Sequence, residues 1–120
     1  PLMLDYAVIS LSDLLVPWDT IRERLAAVAA ADLVVGLYNP RSVKRVTQLS
    51  EAAEIFRLYR AGGTPVGIGT AVGTPEERIV LSDLDRFLEE EIGMRSVVLI
   101  GNRSSKVIDG RFVTPRGYKV

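Results

Sequence analysis

Short apolar runs alternate along this sequence with longer stretches of helical periodicity, and this alternation constrains the fold more than any other feature. Residues 6–11 form the first run, which is partly β-branched and bounded by polar residues, as is typical of a buried strand. Over 17–31, apolar residues recur at helical spacing, and Pro17 stands where proline suits a first helical turn. Residues 33–38 predict a second strand, which Pro40 ends because proline lacks the N–H that a sheet needs.

The rest of the chain continues the alternation with shorter connections. A second helix is predicted over 43–60, and Gly62-Gly63 ends it. Three further apolar runs predict strands, at 65–69, 78–81 and 96–100. We expect a short helix after Ser82 or Asp83, with an apolar stripe that extends to Ile92. Asp109-Gly110 separates two short apolar runs and predicts a type I′ hairpin.

This order of elements predicts an α/β fold built as a three-layer sandwich. Two of the strand-to-strand connections lack helices, so we expect a mixed sheet of about five strands, followed by the C-terminal hairpin. The segments 33–37 and 96–100 are expected to be central and buried. The chain opens with Pro-Leu-Met-Leu-Asp and a strand is predicted almost at once, so we expect these 120 residues to be one domain cut from a longer protein.

The composition excludes several classes of site. The chain has no cysteine and no histidine, which removes disulfides, thiol nucleophiles, thiolate or imidazole metal ligands and the Ser-His-Asp triad. The 15 lysines and arginines balance 15 acidic residues, so we expect no nucleic-acid partner. No apolar run approaches the roughly 18 residues of a membrane span. We therefore expect a cytoplasmic protein with no membrane partner and no metal.

Polar residues follow two of the predicted strands at the point where each strand ends. Tyr38-Asn39-Pro40 closes the second strand, and Asn102 follows the fifth. In open α/β sheets, ligands bind in crevices outside the carboxyl ends of strands. These residues are therefore candidate ligand contacts, although both segments are equally compatible with ordinary turns.

The glycine-rich segment 67–73 superficially suggests a dinucleotide-binding fingerprint. Its spacing is GxGxxxG, and it is followed by Thr-Pro-Glu-Glu and a strand. Phosphate binding of that kind needs a helix N-terminus directly after the glycines, so the pattern does not favour a Rossmann site. Two interpretations stay open: a small-residue loop that lets a ligand approach the backbone closely, or glycines that only accommodate a bend.

Positive charge is concentrated locally although the net charge is zero. Arg41, Lys44 and Arg45 stand together with no acid between Asp32 and Glu51. The C-terminal segment is also mostly basic, whereas acids collect at 76–77 and 89–91. Such clusters are commonly solvated faces, and the alternative is a group of cations that binds a polyanionic small ligand.

Five segments, in order and over nearly the whole chain, resemble the precorrin-3B methyltransferases that act at ring carbon 17, a branch of the tetrapyrrole methylases of cobalamin biosynthesis. They are ISLSDLLVPW (9–18), LYNPRS (37–42), TPVGI (64–68), IGN (100–102) and IDGRFVTPRGY (108–118). The resemblance is to the C-terminal domain of that family, and the glycine-rich GxGPG-type loop of its N-terminal domain is absent from this sequence.

The resemblance implies a two-domain enzyme, usually a homodimer, with S-adenosyl-L-methionine (SAM) in the cleft between its α/β domains. Its implied reaction methylates precorrin-3B at C-17 and contracts the macrocycle to precorrin-4. A methyl sulfonium is already activated, so positioning and electrostatics suffice and neither histidine nor cysteine is needed. The isolated chain is expected to lack activity because it holds only half of the site.

The resemblance also implies which residues form the site. For SAM it points to five positions: Tyr38, Asn39, Ala71, Val72 and Gly73. Many relatives have methionine at the position of Asn39 and Arg-Asn-Ala-Gly at 70–73; a backbone contact would survive the latter change, and a side-chain contact would not. For the carboxylate-bearing tetrapyrrole we expect contacts from three residues: Arg41, Lys44 and Asn102. The catalytic acid and base stay unassigned.

Two other functions are compatible with the same residues. One is a different member of the superfamily, such as another precorrin methylase or a diphthine synthase-like protein. The other is a non-catalytic α/β binding or assembly module. Product analysis on the complete protein separates the enzyme alternatives, and the coding sequence upstream separates both from the module.

Overall fold

The computed structural model describes residues 5–40 and 47–114. In it, the apolar runs form the strands of a sheet, and the segments of helical periodicity form helices that cover the sheet. Its elements follow in the order β1 (Tyr6–Ser10), α1 (Trp18–Ala30), β2 (Val34–Tyr38), α2 (Gln48–Arg57), β3 (Pro65–Thr70), β4 (Arg78–Asp83), β5 (Ser96–Ile100), β6 (Lys106–Ile108) and β7 (Arg111–Val113). The α/β class predicted from the sequence is confirmed.

The main sheet is mixed, and its strand directions determine which residues meet. Within the described residues its order is β1-β2-β5-β3-β4, in which β1 and β2 are parallel and every other neighbouring pair is antiparallel. The strands β1, β2 and β3 therefore end at one edge, here called the upper edge, at Ser10, Tyr38 and Thr70. The strands β4 and β5 begin at that edge and end at the opposite, lower edge.

Both described helices cover one face of the sheet, because each carries an apolar stripe of helical spacing. The helix α1 buries Ile21 and Leu25, and α2 buries Leu49 and Phe56. These side chains pack against alternate residues of the strands, which point to the same side: Val35, Leu37, Val66, Ile68, Val98 and Ile100. This helix-covered face contains the hydrophobic core.

The other face of the sheet, here called the open face, carries the small hairpin as a third layer. Gly67 lies beneath Phe112 of β7, at a distance where an added Cβ would stand 3.4 Å from the phenylalanine ring. The hairpin turns at Asp109 and Gly110 with φ values of 50° and 73°, as a type I′ turn requires. The predicted sandwich, mixed sheet and hairpin are thus confirmed.

Of the two central strands, β2 is buried as predicted, whereas β5 is buried on only one face. The strand β5 lies in the middle of the sheet, and β2 beside it is buried from Val34 to Leu37. In β5 burial alternates: Val98 is fully buried, whereas Val97 on the open face is 40% exposed. The segment 96–100 is central, as expected, but it is buried only toward the helices.

The predicted short helix after Ser82 or Asp83 is wrong. The strand β4 continues to Asp83, and only a 3₁₀ turn at Phe87–Glu89 follows. The backbone N–H groups of Leu84 and Asp85 bond to carbonyls of the loop before β3 instead of starting a helix. Burial of the apolar side chains there therefore rests on this loop contact rather than on a helical stripe.

The second helix is shorter than predicted where the structure describes it. It begins at Gln48 and ends at Arg57, since the N–H groups of Leu58 and Tyr59 bond to carbonyls three residues back, in a tighter turn. Residues 43–46 of the predicted helix lie outside the described residues.

A buried arginine closes the lower edge of the sheet. The Arg60 guanidinium donates hydrogen bonds to the carbonyl oxygens of Gly101 at 2.7 Å, Val28 at 3.2 Å and Leu33. Burial lowers the pKa of Arg60, and the nearby Asp32 carboxylate opposes that shift. One side chain thereby joins the end of α1, the start of β2 and the end of β5.

Two kinds of feature are absent from residues 5–40 and 47–114. No helix there has the length and apolar character that crossing a membrane requires. No group of three or more acidic, histidine or cysteine side chains there is arranged to hold a metal ion. The expectation of a protein without a metal stays a prediction.

Candidate functional site

Two residues at the upper edge adopt a backbone conformation that L-residues rarely take. Asn39, directly after β2, and Ala71, directly after β3, both have φ 52°. This left-handed region costs on the order of 1–2 kcal/mol at a residue such as Ala71 and less at asparagine, and such strain is concentrated at ligand sites. The strands β2 and β3 are separated only by β5, which places these two turns about 10 Å apart. Both turns belong to the segments that the sequence singled out.

The side chain of Asn39 is fixed by the neighbouring strand. Its Nδ2 donates a hydrogen bond to the Ser10 Oγ at 2.9 Å, and the N–H of Ser12 also donates to this oxygen at 3.2 Å. With Nδ2 engaged, the Oδ1 of Asn39 is the acceptor that the residue presents to a ligand. Sequence reasoning missed Ser10, because its partner stands 29 positions away and only the pairing of β1 with β2 brings them together.

The Ala71 loop is held in shape by its own hydrogen bonds. Ala71 donates its N–H to the carbonyl of Arg95 at 3.1 Å, and its carbonyl accepts from Thr74 Oγ1 at 2.7 Å. The N–H of Gly73 bonds to Glu77 Oε1 at 3.0 Å, and Gly73 has φ 85°. This network leaves the Val72 side chain 61% exposed at the edge of the open face.

A row of residues crosses the open face just below the upper edge. Tyr38, Val97 and Gly69 are register partners across β2, β5 and β3. Gly69 has no side chain, and Val72 folds back over it: a Cβ there would lie 2.9 Å from a Val72 methyl. Tyr38 is 42% exposed. The predicted cofactor positions therefore lie along this edge.

An apolar groove of about 750 Å³ runs from Val72 over the open face to the hairpin. Its walls are Ile79, Leu81, Val97, Leu99 and Phe112, and Arg111 is the charged residue along it. Gly67 and Gly69 form part of the floor. Pockets of this size and apolar character are typical of small-molecule sites.

Of the predicted substrate residues, the structure describes Asn102, which does not lie at this edge. Asn102 follows β5, and because β5 runs antiparallel to β2 and β3, it lies at the lower edge rather than beside Asn39. It is 3% exposed, its Nδ2 donates to the carbonyl of Asp32 at 3.0 Å, and its Oδ1 accepts from the N–H of Ser104. The expectation that it lies at the same edge of the sheet as Asn39 is wrong, whereas a contact between Asn102 and the substrate stays a prediction. Arg41 and Lys44 lie outside the described residues.

Curated proteins of known name match nearly the whole chain. A cobalt-factor III methyltransferase of Priestia megaterium is 44% identical over 119 residues, which are 99% of this chain and 22% of that protein. A probable cobalt-factor III C(17)-methyltransferase of Salmonella typhimurium is 42% identical over 98% of this chain and 49% of its own length. A precorrin-3B C(17)-methyltransferase of a Sinorhizobium species is 40% identical over 98% of this chain and 48% of its own length. The chain is a homologue of part of these methyltransferases.

The solved structures agree with this relationship. The crystal structure of the methyltransferase CobJ superposes with a TM-score of 0.86 and 35% identity, over 92% of this chain and 46% of that one. The uroporphyrin-III C-methyl transferase of Thermus thermophilus, complexed with S-adenosylhomocysteine, superposes with a TM-score of 0.58 at 22% identity over 83% of this chain and shows the shared fold. No protein-family model matches the sequence. The chain spans about half or less of each methyltransferase that it matches.

Proposed function

We propose that this chain is the C-terminal domain of a SAM-dependent methyltransferase that acts on precorrin-3B or cobalt-factor III at C-17, with ring contraction. The observation that carries the proposal is the pair of left-handed turns at Asn39 and Ala71, on strand ends that face the same edge of the sheet. Relatives that are 40% to 44% identical to this chain are named cobalt-factor III or precorrin-3B methyltransferases, which supports the methyl transfer. In this arrangement the chain supplies one wall of the cofactor site.

The residues at the upper edge fit one side of a SAM molecule. Val72 and Tyr38 offer exposed apolar surface, which suits the face of an adenine ring or the methylene groups of a methionine chain. Asn39 Oδ1 offers an acceptor, which suits an amino or hydroxyl group. The strained turn at Ala71, a residue that is itself only 7% exposed, fixes the positions of Val72 and Gly73 beside it. Five cofactor contacts are thus proposed: Tyr38, Asn39, Ala71, Val72 and Gly73.

The residues of this wall would act by position. Bound SAM supplies an electrophilic methyl group on a sulfonium. Holding that methyl in line with a ring carbon makes the transfer effectively intramolecular, and orientation of this kind is worth several kcal/mol of the barrier. The fixed side chain of Asn39 and the braced Ala71 loop provide rigid contacts, because their hydrogen bonds exist before a ligand arrives. The groups that move protons during ring contraction are not assigned to this chain.

Further parts of the proposal concern what surrounds this chain. A homodimer is supported by apolar side chains that stay exposed on the open face, such as Val8 and Ile79, since surfaces of this kind are typical of interfaces. Arg41 and Lys44 stay predictions as contacts to substrate carboxylates. The cytoplasmic location stays a prediction as well.

The test is a charge placed in the proposed cofactor wall of the two-domain protein. Val72→Asp is expected to raise the KM for SAM by about tenfold or more, because a carboxylate next to a bound apolar group loses hydration. Leu58→Asp, at another exposed apolar position on the helix side, is the matched control and is expected to leave that KM unchanged. The proposal is contradicted if the two variants behave alike, or if the unaltered protein transfers no methyl group to precorrin-3B or cobalt-factor III.

A further inference from the structure

A second, smaller cleft lies at the upper edge, on the other side of the Ala71 loop. It has a volume of about 230 Å³, and the side chains that determine its chemistry are Thr70, Arg78, Glu91, Arg95 and Ser96. Thr70 ends β3 and Ser96 begins β5, and the two are register partners. None of these residues is among the proposed cofactor or substrate contacts.

Two hydroxyl groups that are hydrogen-bonded to each other form the floor of the cleft. Thr70 Oγ1 and Ser96 Oγ lie 2.8 Å apart, and the N–H of Gly93 donates to Ser96 Oγ at 3.0 Å. The two hydroxyls own two protons, and their mutual hydrogen bond uses one, whichever residue donates it. The second proton is not used in this contact, and when it lies on Thr70 Oγ1, the half-buried hydroxyl of the pair, it can be donated to a ligand. Ser96 is 2% exposed, so the pair is held rigidly.

The walls of the cleft carry a net positive charge. Arg78 Nη1 bonds to Glu91 Oε2 at 2.7 Å, while both side chains are largely open to water. Exposed pairs of this kind contribute little, so a ligand anion competes with Glu91 for Arg78 at small cost. Arg95 is exposed and forms no ion pair with any residue of 5–40 or 47–114. The side chains of the cleft therefore carry two positive charges and one negative charge.

The cleft is coupled directly to the proposed cofactor wall. The carbonyl of Arg95 accepts the hydrogen bond from the N–H of Ala71, so the residue that carries the exposed guanidinium also holds the strained turn. A ligand group bound here would lie next to the Ala71 loop. A hydroxyl donor together with guanidinium forks matches the planar, two-oxygen geometry of a carboxylate.

We propose that this cleft is a subsite for one carboxylate side chain of the tetrapyrrole substrate, with Arg95 as its principal cation and the Thr70–Ser96 pair as its hydroxyl donor. The inference rests on the proposed function for the identity of the ligand, and on the cleft alone for its charge. It makes Arg95 a determinant of substrate binding rather than of cofactor binding. Glu91 then acts against binding, because it occupies Arg78 and repels the incoming anion.

Paired substitutions with opposite expected signs test this subsite in the two-domain protein. The probe is uroporphyrin III, a porphyrin that carries carboxylates around its rim, titrated by its own fluorescence. Arg95→Ala is expected to weaken binding about tenfold, Arg95→Lys less, and Glu91→Gln to strengthen it about threefold. Two exposed residues near the lower edge give matched controls. Arg86→Ala removes an exposed arginine as Arg95→Ala does, and Asp85→Asn breaks an exposed ion pair as Glu91→Gln does.

A second readout separates this inference from the proposed function. Calorimetric binding of S-adenosylhomocysteine is expected to stay within twofold in all five variants, on the order of measurement error. Weaker porphyrin binding in Arg95→Ala together with tighter binding in Glu91→Gln supports the subsite even if no methyl transfer is detected. Unchanged porphyrin affinity in both variants, or equal changes in the controls, overturns it, and so does an unaltered protein that does not bind the porphyrin.

Discussion

At the scale of single residues, the candidate site depends on strain that is stabilised by neighbours. Asn39 and Ala71 each adopt a left-handed backbone, and each is braced by a hydrogen bond from another strand or loop. Position and resemblance pointed to both residues in the sequence. The braces were not predictable, because Ser10 and Arg95 are distant in sequence and meet their partners only through the order of the sheet.

Removing the brace on Asn39 is expected to weaken cofactor binding. In the proposed two-domain protein, Ser10→Ala should raise the Kd for S-adenosylhomocysteine about fivefold, because a lost hydrogen bond of about 1 kcal/mol lets the amide rotate. Ser10→Thr keeps the hydroxyl and is expected to restore most of the affinity. Ser104→Ala, an exposed serine near the lower edge, is the control. Equal affinity in Ser10→Ala and Ser104→Ala, measured by calorimetry, would show that Asn39 needs no brace.

At the scale of elements, the direction of β5 separates correct from incorrect predictions. The apolar run 96–100 predicts the strand itself, and the Asp109-Gly110 pair predicts the hairpin turn that the structure contains. No local feature of this run indicates that it is antiparallel to β2. Because of that direction, Asn102 lies at the lower edge. The short helix before β5 failed for a related reason: its apolar stripe is buried by a loop contact that periodicity does not encode.

The contact between the end of β5 and the hairpin predicts a specific loss of stability. A Cβ at Gly101 would lie 2.6 Å from Ser105 Cβ and 3.0 Å from the Phe112 ring. Gly101→Ala is therefore expected to lower the free energy of unfolding by about 2 kcal/mol, as overpacking of this kind does. Gly63→Ala is the matched control, since a Cβ added there would meet nothing within 4 Å. Urea unfolding of both variants checks this. Equal urea midpoints would mean that the hairpin shifts to accommodate the added Cβ without loss of stability.

At the scale of the whole molecule, helices cover one face of the main sheet, and the hairpin covers only part of the other face. The helices seal a core of their own, so the described chain has what it needs to fold. The open face keeps an apolar groove, and the upper edge offers contacts from a single side. Apart from the short helix before β5, the number and type of the elements were predictable from the sequence. The uncovered face was not, because it depends on the order of strands and on which side both helices pack.

The most direct test of the claim that this chain supplies only one wall of the cofactor site is a calorimetric titration with S-adenosylhomocysteine. It is run on this 120-residue chain and on the proposed two-domain protein. A one-sided site leaves most of the ligand in water, whereas small-molecule sites depend on enclosure. The account predicts saturable one-to-one binding by the two-domain protein, and none in the micromolar range by the folded, isolated chain. One-to-one binding by the isolated chain at low micromolar concentration would contradict it, since the pocket would then be complete without a second domain.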